Sequence, residues 1–114
     1  MKIEESTLGN ATVLTLIGDF DSRNAKEFED LLSGLFEQGK CNIVVDLTEV
    51  GYMDSSGSAG LVYGMQACGR NNGAFRVVSN NSFVDGLLDG LKLHRVMEIY
   101  NNVDDAVKSV VETE

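Results

Sequence analysis

Three serine hydroxyls lie within four residues of one another, at Ser55, Ser56 and Ser58, directly after the carboxylate of Asp54. The β-branched run over 43–47 is typical of a buried strand, and a segment rich in small residues follows the serines. A helix start carries unpaired backbone N–H groups and a positive dipole, so a phosphate on one of these serines would be stabilised there. The sequence therefore predicts a phosphorylatable turn between a strand and a helix.

The serines of this turn could instead serve as helix caps, and two enzyme motifs can be compared with the same residues. Serine is among the best N-cap residues, so Ser55 and Ser56 could serve only to cap the helix, and turn chemistry alone favours this. A nucleophile elbow around Ser58 would need glycine two places earlier, where Ser56 stands, and no Gly-Lys-Ser/Thr phosphate loop is present. We predict no catalytic residue and no cofactor.

Composition limits the function classes. The 114 residues suit one domain over 1–114, and 18 acidic against 9 basic residues give a net charge of −9. This charge opposes direct binding to nucleic acid or anionic membranes but suits a basic protein surface. The apolar runs are far shorter than the roughly 20 residues that cross a bilayer, and Glu4 and Glu5 stand where a secretory signal has its apolar core. We predict a cytoplasmic protein without membrane insertion.

The thiols and the histidine do not form a metal-binding pattern. Cys41 and Cys68 are far apart in sequence, and His94 is the single histidine. We predict two free thiols near or in the core, a structural or exposed His94, and no metal site.

A rhythm of short strands and amphipathic helices places the turn in the fold. The predicted strands cover 3–6, 12–17, 42–47, 74–79 and 95–100. The predicted helices cover 23–38, capped by Asp21 or Ser22; 55–68; a third marked by Phe83, Leu87, Leu88 and Leu91; and a last one marked by Val103, Ala106, Val107, Val110 and Val111, capped near Asn102. The turn at Leu8-Gly9-Asn10 makes the first strand pair antiparallel, and the helical crossovers make the others parallel. We predict an α/β domain with a mixed, mostly parallel sheet of about five strands and about four helices. Met53, Met65, Phe75 and Phe83 are predicted core side chains.

Two motifs carry a family resemblance. Tyr52-Met53-Asp54-Ser55-Ser56-Gly57, together with Gly18-Asp19-Phe20-Asp21 before the first helix, resembles the STAS domain of bacterial anti-sigma factor antagonists, over essentially the whole chain. The resemblance implies a single STAS-like domain. It also implies that a serine of the turn is phosphorylated by a partner kinase, which is itself an anti-sigma factor. Phosphorylation then releases the antagonist, and a serine phosphatase restores it.

The resemblance assigns the phosphate acceptor to Ser55, with Ser56 as the alternative, because family variants with alanine in the next place keep this serine. It assigns kinase recognition or acceptor orientation to Asp54, and turn chemistry lets Gly57 admit a partner backbone. The implied partner contacts are Asp19, Asp21, Asp54, Ser55, Ser56, Gly57 and Ser58. Many members read Gly-Leu-Gly after the serines, so Ser58 departs from the pattern; it adds a third candidate hydroxyl and would weaken or retarget the partner contact.

A second interpretation stays open. The same fold also serves as a non-switching STAS module that docks on a membrane transporter or signalling scaffold, with the serines acting only as caps. The intact Asp-Ser-Ser-Gly turn favours the switch, whereas Ser58 favours a different partner. The oligomeric state is left open.

Overall fold

The chain folds around one five-stranded sheet. The structure is a computed structural model that describes residues 1–111, and of Val111 it describes the backbone only. The strands are β1 (Lys2–Leu8), β2 (Ala11–Phe20), β3 (Ile43–Met53), β4 (Phe75–Val78) and β5 (Glu98–Tyr100). The helices are α1 (Ala25–Glu37), α2 (Ser55–Arg70), α3 (Ser82–Gly90) and α4 (Val103–Val111), with a 3-10 turn over Leu93–Arg95. The strand order is β1-β2-β3-β4-β5, with β1 antiparallel to β2 and the other pairs parallel. The predicted fold class is confirmed.

Both faces of the sheet are covered, which explains the continuous apolar run of β3. The main core lies between one face and the helices α1, α2 and α3, and includes Leu14, Leu16, Phe28, Leu32, Val45, Leu61, Val77 and Leu88. On the other face, Val13, Val44 and Val78 pack against Ala106 and Val110 of α4. The predicted cap of α4 is confirmed, because the Asn102 side chain accepts the N–H of Asp105 at 2.9 Å.

Helix α2 lies close to its neighbours because glycines face them. A Cβ atom built on Gly60 would come within 3.1 Å of the Phe20 ring. One built on Gly64 would come within 2.6 Å of the Phe75 ring and 3.2 Å of the Leu32 side chain. The small residues of α2 are therefore a packing requirement, since the space a side chain would need is already filled.

Strands β2 and β3 extend further than predicted. The sequence places their ends at residues 17 and 47, whereas β2 reaches Phe20 and β3 reaches Met53. Gly18, with a φ of 108°, lies beside a register shift and lets β2 continue through an irregular position. Asp19 consequently lies within β2, two residues beyond the predicted end of the strand.

The predicted start of α1 is wrong. The sequence places it at Arg23 with Asp21 or Ser22 as cap, but the helix begins at Ala25, and its N-cap Asn24 makes no side-chain cap bond. The Asp21 carboxylate instead accepts the backbone N–H of Arg23 at 3.0 Å and its guanidinium at 2.6 Å. These bonds form a turn ahead of the helix, which explains the two-residue shift.

Two further predictions near the C-terminal half need correction. Strand β5 begins at Glu98 and not at residue 95, because the preceding residues form the 3-10 turn with Leu93 buried. Phe83 was predicted to lie in the core but is half exposed, since Val84 and Leu88 form the buried stripe of α3. Met53 and Phe75 are buried, as predicted. The burial of the side chain of Val111 lies outside the described residues.

The thiols are free, as predicted, and differ in burial. Cys68 is buried in the core, whereas Cys41 is partly exposed. Burial raises the pKa of Cys68 to about 12. The predicted exposed or structural position of His94 is also confirmed, since the side chain lies at the surface 3.5 Å from Asp89.

We expect Gly64→Ala to destabilise the fold and Gly69→Ala to leave it intact. An added methyl group at Gly64 meets the Phe75 ring, whereas Gly69 in the same helix has no such atom within 4 Å. In Gly64→Ala, overpacking should lower the free energy of unfolding by about 1–3 kcal/mol, partly offset by the higher helix propensity of alanine. In Gly69→Ala only the propensity changes, which should raise the free energy of unfolding by up to about 1 kcal/mol. Urea unfolding measures both, and equal effects at the two positions would contradict close packing of α2.

We expect iodoacetamide to alkylate Cys41 and spare Cys68 in the folded protein. Since the pKa of Cys68 is raised to about 12, raising the pH from 7 to 9 should not generate its reactive thiolate. Peptide mass spectrometry of the native protein and of a urea-unfolded control gives the readout. Cys41→Ser isolates the buried thiol, and rapid native alkylation of Cys68 in that variant would show that the site opens.

Candidate functional site

The predicted turn lies where β2 and β3 end side by side. Phe20 pairs with Met53 in the sheet, and the N–H of Asp54 donates to the Phe20 carbonyl at 3.4 Å. Asp54 is the one residue between the end of β3 and the first residue of α2, Ser55. The turn therefore stands at the carboxyl ends of parallel strands, the edge where α/β sheets place their binding sites.

Asp54 is the N-cap of α2. Its backbone is extended, with φ −118°, and its Oδ1 accepts the N–H groups of Ser56 at 2.9 Å and Gly57 at 3.2 Å. Its carbonyl accepts the N–H of Ser58 at 3.0 Å. A carboxylate also complements the positive end of the helix dipole. The explanation of Ser55 and Ser56 as caps is therefore wrong, because Asp54 performs that role.

The same bonds change the expected electrostatics of the helix start. A helix start was predicted to offer free backbone donors to a phosphate, but the amides of Ser56, Gly57 and Ser58 are already paired with Asp54. Within the described chain, the amide of Ser55 is the one in this first turn without a partner. A phosphate on Ser55 would meet the helix dipole together with the negative charge of Asp54, and few free donors.

The three candidate hydroxyls differ in access. Ser55 is exposed and Ser56 is half-buried, and neither hydroxyl hydrogen-bonds to any residue that the structure describes. Ser58 is 5% exposed, and its Oγ donates to the carbonyl of Asp54 at 3.1 Å. An enzyme that transfers phosphate can therefore reach Ser55 most directly, whereas Ser58 lies inside the first turn.

Two residues predicted to meet a partner face inward. Ser58 is buried, so its side chain presents almost no surface to a partner. A Cβ atom at Gly57 would collide with the carbonyl of Phe20 and lie 2.8 Å from the Met53 side chain. Gly57 therefore admits the backbone of β2 of the same chain, which corrects the expectation that it admits a partner.

The two aspartates before α1 also have different roles. Asp19 is exposed at the end of β2, where it pairs with Tyr52 and lies 3.6 Å from the guanidinium of Arg23. Asp21 is only 7% exposed, and it also accepts the side-chain amide of Asn24 at 3.4 Å. The hydrogen bond from Arg23 holds the pKa of Asp21 below its ordinary value, while partial burial opposes this effect. Asp21 therefore holds the loop before α1 and is largely buried, whereas Asp19 remains at the surface.

Sequence reasoning missed an exposed aromatic pair near the turn. The rings of Tyr52 and Phe83 are stacked, with centroids 5.8 Å apart and an interplanar angle of 27°. Tyr52 is 47% exposed and Phe83 is 50% exposed. The sequence carries a partial signal for this pair. Tyr52 stands directly before Met53 in a strand, where side chains alternate between faces, and Val84 with Leu88 offers an apolar stripe at helical spacing that does not include Phe83.

No helix among residues 1–111 combines the length and apolarity needed to span a bilayer.

Solved structures share this fold. An anti-sigma factor antagonist from Mycobacterium paratuberculosis superposes with a TM-score of 0.86 and 21% identity, over 96% of this chain and 92% of that one. SpoIIAA, an anti-sigma factor antagonist, is similar in its unphosphorylated form, with a TM-score of 0.75 and 14% identity over 97% of this chain and 98% of that one. The phosphorylated form of Bacillus SpoIIAA has a TM-score of 0.74 and 17% identity, over 96% of this chain and 99% of that one.

A structure with a different description is also similar. A sulfate transporter family protein from Wolinella succinogenes has a TM-score of 0.78 and 13% identity, over 91% of this chain and 87% of that one. At these identities the structures establish the fold alone. The sequence model of the STAS domain matches residues 2–106, which is nearly the whole chain. The chain therefore belongs to the STAS domain family.

Proposed function

We propose that this protein is an anti-sigma factor antagonist of the cytoplasm, a binding protein and not an enzyme. Its unphosphorylated form binds an anti-sigma factor that is also a serine kinase, and this binding releases a sigma factor. Phosphorylation of Ser55 ends the binding, and a serine phosphatase restores it. The observation that carries the proposal is the exposed hydroxyl of Ser55, unengaged within the described chain at the first residue of α2.

The electrostatics of the turn support a switch that acts on the partner. Phosphorylation adds a charge of about −1.5 to −2 near pH 7. Because the Asp54 carboxylate already accepts two of the otherwise unpaired amides of the first turn, those of Ser56 and Gly57, the phosphate remains at the surface beside a second negative charge. A partner that closes over the neutral hydroxyl would have to desolvate this phosphate, so binding is weakened.

The folded domain itself should tolerate the modification. Ser55 lies outside both apolar cores, and the Asp54 cap does not involve its hydroxyl. SpoIIAA supports this view, since its unphosphorylated and phosphorylated forms resemble the present fold almost equally, with TM-scores of 0.75 and 0.74. The proposed partner switching therefore needs no refolding.

We expect the protein purified from its native cells to carry phosphate on Ser55. Intact-mass and fragmentation mass spectrometry can separate Ser55, Ser56 and Ser58. Phosphate on the half-buried Ser56 would keep the switch but move its site. Complete absence of phosphate across growth and stress conditions would contradict the switch.

We expect Ser55→Asp to bind the kinase at least about tenfold more weakly than wild type, because a partner that closes over the turn must desolvate a permanent charge in place of a neutral hydroxyl. Ser55→Ala should bind constitutively and resist phosphorylation, and it serves as bait to recover the kinase. Ser6→Asp changes the net charge equally on the exposed strand β1 and should bind like wild type. Titration calorimetry with the purified kinase gives the affinities, and equal binding by wild type and Ser55→Asp would refute the proposal.

We expect Asp54→Ala to lower the free energy of unfolding by about 0.5–2 kcal/mol, because the amides of Ser56 and Gly57 lose their acceptor. Asp54→Asn keeps a good capping oxygen and should stay within about 0.5 kcal/mol of wild type. Urea unfolding compares the two. Equal losses would show that the charge, and not the cap geometry, holds the helix start.

The competing function is a STAS module that docks permanently on a transporter or scaffold. The similarity to the Wolinella succinogenes protein of the sulfate transporter family favours it. The two functions differ in one measurable property, since only the switch requires reversible phosphate on the turn.

A further inference from the structure

The stacked rings of Tyr52 and Phe83 form an aromatic patch that the core does not need. Tyr52 lies near the end of β3 and Phe83 in the first turn of α3, and about half of each side chain is exposed. Most exposed apolar residues stand singly, whereas two stacked aromatic rings present a joint surface. Aromatic residues are enriched at the centres of protein interfaces.

The patch is held in place beside the candidate site. Asn81 caps α3 by accepting the N–H of Val84 at 2.8 Å, and its side-chain amide donates to the carbonyl of Val50 at 2.9 Å. These bonds tie the start of α3 to β3 two residues before Tyr52. Since Tyr52 precedes Ser55 by three residues, their Cα atoms are at most roughly 11 Å apart. A partner that covers Ser55 can therefore reach the patch without a change of conformation.

Acidic residues lie beside the patch on its β2 and β3 side. Asp19 pairs with Tyr52 across the strands, and Glu49 is exposed three residues earlier on β3. Arg23 contacts Asp19, but its shortest bond is to Asp21. With a net charge of −9 on the chain, the field here attracts cations.

An arginine side chain fits this combination best. Its planar guanidinium stacks on aromatic rings and at the same time donates to carboxylates. A lysine ammonium is more strongly hydrated and cannot stack, and an aliphatic side chain would desolvate the carboxylates without pairing them. A second copy of this acidic chain would bring like charges together.

We propose that Tyr52 and Phe83, with Asp19 and Glu49 beside them, form a docking surface for an arginine side chain of a basic partner protein. This inference rests on the proposed function in one respect, since it takes that partner to be the anti-sigma kinase. It extends the contact area from the Ser55 turn to the start of α3. The surface is set by residues that phosphorylation does not alter, so it provides affinity while Ser55 provides control.

Hexa-arginine tests the chemistry without the kinase. In two-dimensional NMR titrations at low salt, hexa-arginine should shift the ring signals of Tyr52 and Phe83 and bind more tightly than hexa-lysine. Tyr52→Ala and Phe83→Ala should each weaken the binding about two- to fivefold, the range expected for an exposed cation–π contact. Leu91→Ala removes a side chain that is 49% exposed just beyond the other end of α3 and should change nothing. Equal affinities for wild type and both ring variants would overturn the proposal.

The kinase supplies the second arm. Phe83→Ala should weaken kinase binding, Leu91→Ala should not, and thermal melts confirm that both variants are folded. If Ser55→Asp weakens kinase binding and Phe83→Ala does not, the docking surface is wrong and the proposed function stands. If hexa-arginine and kinase both depend on Phe83 while Ser55→Asp binds normally, the surface stands and the switch fails. A dimer that Tyr52→Ala dissociates would assign the patch to a second copy and overturn the proposal.

Discussion

The close approach of α2 to the end of β2 is the constraint on which the site depends. Gly57 lies against the carbonyl of Phe20, so the helix can begin immediately after β3 without a connecting loop. Asp54 completes this junction by bonding both to β2 and to the first turn of the helix. The exposure of Ser55 and the burial of Ser58 both follow, since the helix enters the fold at one fixed rotation.

The electrostatic character of the turn follows from the same junction. A helix start normally attracts anions, but here the Asp54 carboxylate already accepts the amides of Ser56 and Gly57. The site is therefore poorly suited to bind a free phosphate. Asp19 and Glu49 continue this negative surface beside the aromatic pair, and such a surface attracts cationic groups.

Local signals in the chain predicted most of the architecture. The β-branched run over 43–47 identified the central strand, and Asn102 identified the start of α4, because caps and periodicity act within a few residues. The start of α1 was missed because Asp21 bonds to Arg23 rather than to the helix amides, a choice that local preference does not distinguish. Phe83 was placed in the core because an aromatic residue at helical spacing is usually buried, whereas α3 presents Val84 and Leu88 instead.

The fold class, the position of the three serines between a strand and a helix, and the acidic character of the protein can be predicted from the residues alone, because periodicity, turn chemistry and charge are local or additive properties. The accessible hydroxyl, the cap of α2 and the packing of Gly57 against β2 are visible only in the folded chain. These features depend on the contact of the first turn of α2 with Phe20, a residue that lies more than 30 positions earlier in the chain. The pairing of Tyr52 with Phe83 is of the same kind, since it exists only where α3 docks beside β3.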